Sequence, residues 1–158
     1  MIKFFGTVFY LGLFPFFPGT FASLVSLILG ILLFKIIGFL FFLYLTVFVF
    51  LGGWWCSKKI IKINNNKDPS EIVIDELVGQ WISVIPIFYL LDNKIITFSS
   101  LPYLELISAF IIFRFFDIVK IGPILWADSL KSGLGVMLDD CLAGCVTLIL
   151  ISFYYIII

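Results

Sequence analysis

Two pairs of neighbouring acidic residues carry the strongest chemical signal in this chain. They are Asp75-Glu76 and Asp139-Asp140, and each pair lies at the end of an apolar segment in a sequence with only 13% charged residues. Carboxylates beside lipid are energetically costly, so they are usually kept for coordination, proton transfer or ion passage. If the two pairs converge, they form an oxygen-only site for a hard cation such as Mg²⁺. We therefore predict a metal site built from these four side chains.

Helix capping is the competing explanation for both pairs, because acidic residues suit the positive end of a helix dipole. A single Asp would suffice to cap a helix at residues 139–140. Asp75 and Glu76 are predicted to lie in the second turn of a helix, where capping does not account for them. They also differ by about 100° around the helix, so they can hold one ion or two neighbouring ions. Metal binding is therefore the favoured interpretation.

A second group of charged residues, Arg114, Asp117 and Lys120, shares one side of a predicted helix. One interpretation is a salt-bridged strip that neutralises itself inside a helical bundle. The other is a phosphate clamp, in which Arg114 and Lys120 bind phosphoryl oxygens while Asp117 orients the arginine or binds metal. Spacing alone does not separate the two. The stretch 18–23, which contains Thr20 and Ser23, would present backbone N–H groups and hydroxyls to an anion at a helix N-terminus, although a lone Pro-Gly turn is a weak signal by itself.

The composition indicates a membrane protein. Of 158 residues, 63% are hydrophobic and 20 are Phe, well above the apolar content of soluble domains. The net charge of zero gives no electrostatic footprint for a nucleic-acid partner. The chain has no histidine, which removes the commonest general base, and three cysteines alone are poor zinc ligands.

The hydrophobic pattern predicts an all-α fold, a compact polytopic bundle with about five membrane helices in a single domain, residues 1–158. Residues 4–17 are too short to span a bilayer and are interpreted as an interfacial or re-entrant segment. The run 21–55 is too long for one span, so two helices should turn near 35–38. The later helices are predicted at 68–91, capped by Asp68 and kinked at Pro86, at 102–121, and from Val136 or Asp139 to the end. Residues 124–136 are predicted to be a polar connection, with Asp128 and Ser129 as caps.

The lysines suggest an orientation. Placing residues 1–20, 57–76 and 117–139 on one side leaves only Lys35 and Lys94 on the other. The lysines gathered on the first side are Lys3, Lys58, Lys59, Lys62, Lys67, Lys120 and Lys131. The positive-inside rule makes that side cytoplasmic, so both acidic pairs should share the cytoplasmic face.

The chain combines carboxylates for a hard metal ion, basic side chains for phosphate and hydrophobic helices for lipid. Together they favour metal-assisted phosphoryl transfer or hydrolysis at a phospholipid headgroup. Three alternatives remain. A small ion carrier or channel would place its carboxylates near the bilayer midplane. A phosphatidyl- or other alcohol-phosphate transferase would have a characteristic Asp-Gly…Ala-Arg pattern, which is absent here. The last alternative is a structural membrane subunit.

Four motifs, in order along the chain, resemble the phosphatidylglycerophosphatase A family. They are Pro18-Gly19-Thr20, Ile74-Asp75-Glu76 with Gly79, Arg114-Phe115-Phe116-Asp117 through Lys120, and Asp139-Asp140 followed by Ala143-Gly144. One departure is the exit from the third motif, where Ile121-Gly122-Pro123 follows Lys120 although the family often has Pro directly after the lysine.

The resemblance implies a Mg²⁺-dependent phosphatase that removes the terminal phosphate of phosphatidylglycerophosphate to give phosphatidylglycerol. It also implies a multi-pass protein of the bacterial cytoplasmic (inner) membrane, with the active site facing the cytoplasm. The implied metal ligands are Asp75, Glu76, Asp139 and Asp140. The implied phosphate-side residues are Arg114, Lys120 and Thr20, with Asp117 among the catalytic residues. In the absence of histidine, Asp140 or Glu76 is expected to accept the proton of the attacking water.

Overall fold

The computed structural model describes residues 2–8, 10–14, 17–64, 71–96, 102–130 and 132–157, and all regular elements within these ranges are helical. This confirms the predicted all-α class. The seven α-helices are α1 Ile2–Gly6, α2 Pro18–Asn64, α3 Ile74–Ser83, α4 Ile85–Asp92, α5 Tyr103–Val119, α6 Pro123–Ser129 and α7 Gly133–Ile157, with a short 3₁₀ turn at Leu11–Leu13.

Helix α2 folds back on itself at Gly38. The residue has φ 76° and ψ 175°, a combination that is essentially restricted to glycine. An ideal Cβ on Gly30 would lie 3.8 Å from a ring carbon of Phe42, whereas a straight helix would place these residues about 18 Å apart. The two halves of α2 therefore pack against each other, and the prediction of a turn within residues 35–38 is confirmed.

The predicted helix 68–91 is in fact two helices. The break falls at Val84, and the axes of α3 and α4 differ by 49°. Pro86 lies in the first turn of α4, where its missing N–H is tolerated, and so it starts a helix rather than kinking one.

The predicted start of this helix was also wrong. Residues 71–73 are not helical, and the Val73 N–H donates to the Gly6 carbonyl at 3.1 Å instead of continuing a helix. The predicted cap at Asp68 lies outside the described residues. Asp75 and Glu76 consequently occupy the first turn of α3, not the second.

The stretch predicted to be a connection, 124–136, contains helix α6 and the first turn of α7. Asp128 is therefore not a cap, and its carboxylate forms an ion pair with Lys120. Because α7 begins at Gly133, Asp139 and Asp140 lie inside the helix. N-terminal capping does not explain that pair.

Two described helices, α2 and α7, are long and apolar enough to span a membrane, and the bent pair α3–α4 makes a third if it crosses as one unit. The sequence predicted about five spans. The difference arises because α2 counts once although it reverses at Gly38, and because α5 has only 17 residues.

A close helix crossing joins α3 to α7 through two glycines. An ideal Cβ on Gly144 would collide with the carbonyl oxygen of Gly79, and one on Gly79 would lie 2.6 Å from the carbonyl oxygen of Asp140. Small residues of this kind allow helix backbones to approach closely. The crossing brings the first turns of α3 next to Asp140.

We expect Gly144→Ala to lower the free energy of unfolding by about 1–3 kcal/mol, because backbone atoms cannot rotate away from the new methyl group. The matched control is Gly52→Ala in α2, where no described atom lies within 4 Å of the ideal Cβ. Alanine is the better helix former, so this control should be neutral or slightly stabilising. Thermal unfolding in detergent measures both, and equal midpoints for the two variants would contradict the close crossing.

Candidate metal and phosphate site

Three carboxylates from two helices meet at the α3–α7 crossing. Asp75 and Glu76 come from α3 and Asp140 from α7, and one oxygen of each lies within 4.8 Å of the others. Asp75 is 8% exposed and Asp140 is 3% exposed. The structure therefore brings together one complete predicted pair and half of the other.

The first residue of each acidic pair is fixed by its own helix. Asp75 Oδ1 accepts a hydrogen bond of 3.0 Å from the Glu76 N–H, and Asp139 Oδ1 accepts one of 3.0 Å from the Asp140 N–H. Asp139 turns its other oxygen to Lys120, at 2.9 Å from the ammonium nitrogen. It lies outside the group of three carboxylates whose oxygens converge, although it was predicted to bind the same metal.

Negative charge exceeds positive charge at this site. Asp117 lies beside the carboxylate of Asp140, and its charge also acts on Glu76. Among the described residues, with the Asp128 that pairs with Lys120 included, the site holds six carboxylates against one guanidinium and one ammonium. Buried charge of one sign is costly unless it is compensated. Glu76 Oε2 is buried and has no hydrogen-bond partner among the described residues. An all-oxygen donor set with an unsatisfied buried oxygen fits a hard divalent cation.

Arg114 connects the acidic cluster to the start of α2. Its Nη1 lies 2.6 Å from Asp117 Oδ2 and 3.3 Å from Ser23 Oγ. An ideal Cβ on Gly19 would lie 3.2 Å from Nη2 of the arginine and would collide with Oε1 of Glu76. The turn predicted to bind an anion thus lies beside both a cation and an acid of the site. Thr20 follows directly and is half-buried.

Lys120 bridges two carboxylates at the end of α5. Its ammonium pairs with Asp128 on α6 and with Asp139 on α7. Burial would lower the pKa of Lys120, but the hydrogen bonds to these two carboxylates outweigh it and raise the pKa above its ordinary value. Lys120 is therefore a permanent cation that links three helices.

One polar residue beside the site was predicted with the stretch 18–23, and another was misassigned. Ser23 is fully buried, and its hydroxyl donates to the Gly19 carbonyl at 2.9 Å while accepting from Arg114. Asp128 was misassigned because its pairing with Lys120 requires α6 to fold back after the turn at Gly122.

We expect Gly19→Ala to reduce turnover at this site by at least about tenfold, because the new methyl group would displace the Glu76 carboxylate from the cluster. The displaced atoms belong to the end of a flexible side chain, so stability should change little. A turnover assay combined with thermal unfolding tests this, with Gly52→Ala again as control. Unchanged turnover would show that Glu76 need not occupy its observed position.

These features define a class, a helical membrane protein in which an acidic cluster that could hold a metal ion and two basic residues share one site. The comparisons with known proteins agree. The profile of the phosphatidylglycerophosphatase A family matches residues 4–155. The chain belongs to the phosphatidylglycerophosphatase A family, a family of lipid phosphatases, and the resemblance found in its motifs is confirmed.

Three bacterial relatives cover most of the chain. A Bacteroides thetaiotaomicron protein, provisionally named as a phosphatidylinositol-3-phosphatase, is 38% identical over 93% of this chain and 89% of its own length. The phosphatidylglycerophosphatase A of Haemophilus influenzae is 36% identical over 85% of this chain and 76% of its own. The Escherichia coli enzyme of the same name is 30% identical, with coverages of 86% and 73%. No solved structure gives a significant match.

Proposed function

We propose that the protein hydrolyses the terminal phosphomonoester of phosphatidylglycerophosphate, releasing phosphatidylglycerol and inorganic phosphate. The observation that carries this proposal is the meeting of Asp75, Glu76 and Asp140 with Arg114 at one buried site. The names of the Haemophilus influenzae and Escherichia coli relatives support this substrate.

Magnesium is the proposed cofactor, with Asp75, Glu76 and Asp140 as its ligands, because these side chains offer only hard oxygen donors. When bound, the ion would polarise the phosphate and lower the pKa of a water molecule. Asp139 acts alongside these ligands by holding Lys120 in place.

The basic residues retain donors for the phosphate. An ammonium group has three N–H donors, and the contacts of Lys120 with Asp128 and Asp139 leave one for a phosphoryl oxygen. Arg114 contacts Asp117 and Ser23 through Nη1, and its Nη2 lies on the side where Gly19 and Thr20 begin α2, from which it would donate to the substrate. Both cations would stabilise the charge that spreads over the equatorial oxygens during transfer.

Proton acceptance is assigned to Glu76. Its Oε2 is buried and has no hydrogen-bond partner within the part of the chain that the structure describes, and the chain has no histidine to take this role. Asp140 shares the cluster and is the other candidate base.

Five membrane crossings in one domain, residues 1–158, are proposed for the bundle: the two halves of α2, the bent pair α3–α4, α5 and α7. The reversal at Gly38 supports two crossings for α2. Gly133, at the start of α7, packs against the backbone of Lys58, so the lysines at the end of α2 lie on the side of the site. By the positive-inside rule this is the cytoplasmic face of the bacterial inner membrane.

A second substrate, phosphatidylinositol 3-phosphate, is a candidate because the Bacteroides thetaiotaomicron relative is named for it. Both lipids present a phosphomonoester on a glycerophospholipid headgroup. The same carboxylates and basic residues would therefore act on the phosphate of either lipid. A site for one lipid would differ from a site for the other only in how it accommodates the alcohol that carries the phosphate.

The test is release of inorganic phosphate by the purified protein from each lipid at equal mole fraction in mixed micelles. We expect faster release from phosphatidylglycerophosphate, dependence on Mg²⁺ and complete loss with a chelator. Faster release from phosphatidylinositol 3-phosphate would reassign the substrate. No release from either lipid, together with ion flux into liposomes, would favour the ion-carrier alternative.

A further inference from the structure

Two apolar cavities lie next to each other on the face formed by the second half of α2, the α3–α4 pair and α7. Their volumes are about 300 and 380 Å³, the size range of small-molecule sites. Ile85, at the break between α3 and α4, lines both of them. The two cavities thus adjoin at the bend between these helices, and we call the pair the α7 groove.

The α7 groove follows a single face of α7. Leu138 and Cys141 line its first part, and Leu148, Ser152 and Tyr155 line its second part. Along the helix axis, Leu138 and Ser152 are about 21 Å apart. The hydrocarbon of one leaflet is about 15 Å deep, half of a ~30 Å core. The groove is therefore long enough to hold an acyl chain through the whole depth of its leaflet.

The first part of the groove lies near the acidic cluster. Leu138 immediately precedes Asp139, and Cys141 lies within electrostatic reach of Asp75, Asp139 and Asp140. On α3, Val78 and Ile82 line the groove on the helical face that continues from Asp75. A molecule in the groove would thus have one end near the charged site.

The lining of the first part offers almost nothing to a polar ligand. Its hydroxyl-bearing residue is Thr46, whose side chain donates to the Phe42 carbonyl at 2.9 Å. Val47, at the open side of the groove, is 59% exposed. The groove therefore suits a hydrocarbon chain that enters sideways from the bilayer.

We propose that the α7 groove binds one acyl chain of the lipid phosphate whose headgroup occupies the acidic site. This rests on the proposed function, since a soluble phosphomonoester would need no such groove. The substrate is an amphiphile, so its phosphate lies at Arg114 while its chain must leave the site along an apolar surface. The α7 groove provides that surface, and it makes the protein select for a chain as well as for a headgroup.

Photo-crosslinking tests occupancy directly. The probe is phosphatidylglycerophosphate with a diazirine midway along one acyl chain, and phosphatidylcholine with the same chain is the comparison. We expect crosslinks to groove residues, mapped by mass spectrometry, to be enriched severalfold for the lipid phosphate. Equal crosslinking by both lipids would mean that any bilayer lipid fills the groove, and the proposal would be overturned.

Kinetics of a groove-filling variant provide the second test. Val47→Trp should fill the first part of the groove and raise KM for a dipalmitoyl substrate about tenfold, through the loss of many small dispersion contacts. The same variant should hydrolyse a dibutyryl substrate like the wild type. The matched control is Ile107→Trp on α5, where the wild-type residue is 52% exposed and lines neither cavity.

The outcomes distinguish binding of the acyl chain in the groove from the phosphatase activity itself. If Val47→Trp affects both chain lengths equally, or neither, the groove does not bind the chain while the phosphatase assignment stands. If the wild-type protein releases phosphate from neither substrate, the proposed function itself fails.

Discussion

Asp140→Asn and Asp75→Asn should each reduce phosphate release by at least about a thousandfold. Each substitution keeps the size of a buried side chain but removes one of the three charges that converge on the proposed ion. The loss corresponds to about 4 kcal/mol, consistent with the several kcal/mol of transition-state stabilisation that a metal ion supplies. Release of phosphate from a phosphatidylglycerophosphate micelle measures this effect.

The variants should remain folded, because removing one of several crowded carboxylates relieves repulsion in the ion-free protein. Their thermal midpoints without Mg²⁺ should equal or exceed that of the wild type. Added Mg²⁺ should raise the midpoint of the wild type but not of the variants, since only the native site binds the ion tightly. Asp92→Asn, at the exposed end of α4, is the matched control. Turnover like that of the wild type in either site variant would disprove the assignment.

Arg114→Gln should lower kcat/KM by about 10²–10³, the usual effect of removing one preorganised donor to a developing negative charge. Arg114→Lys should recover only part of this, because an ammonium group cannot reproduce the forked geometry of guanidinium. Lys59→Gln is the matched control, since Lys59 lies over the Trp55 ring, at 3.8 Å from its centroid, instead of pairing with the acids of the site. Steady-state kinetics on the same lipid measure all three.

A purely structural role for Arg114 would also reduce activity, by leaving Asp117 buried without its 2.6 Å partner. The double variant Arg114→Gln/Asp117→Asn distinguishes the two roles. If the arginine served only to neutralise Asp117, the double variant would regain stability and activity together. We expect it to regain stability alone.

The convergence of the four motifs was predictable because chain direction and lysine distribution put them on one side of the membrane. The contacts around Gly6, Gly19 and Gly133 bear out this clustering at one end of the bundle. The charged residues were recognisable as candidate site residues because a charge in an apolar chain is energetically costly. Composition and hydropathy were thus enough to predict which residues carry the chemistry and that they gather at one end of the bundle.

The details that sequence reasoning missed depend on contacts between distant segments. Helix α3 begins at Ile74 because Val73 pairs with Gly6, which is nearly seventy residues earlier in the chain. Asp139 faces Lys120 instead of the other acids because α6 and α7 pack together beside the end of α5. Neither arrangement leaves a local signal, since propensities describe only neighbouring residues.

The reversal at Gly38 also determines which compartment each part of the site can reach. As a straight helix, α2 would be about 69 Å long, more than twice the ~30 Å hydrocarbon core of a bilayer. The reversal returns the end of α2 to the side of the bundle from which it started, so in the proposed arrangement of five crossings Gly19 and Asp75 face the same aqueous compartment. In that arrangement the backbone angles of a single glycine set whether α2 crosses the membrane an odd or an even number of times, and with it whether the proposed phosphate-binding turn and the carboxylates can meet at all.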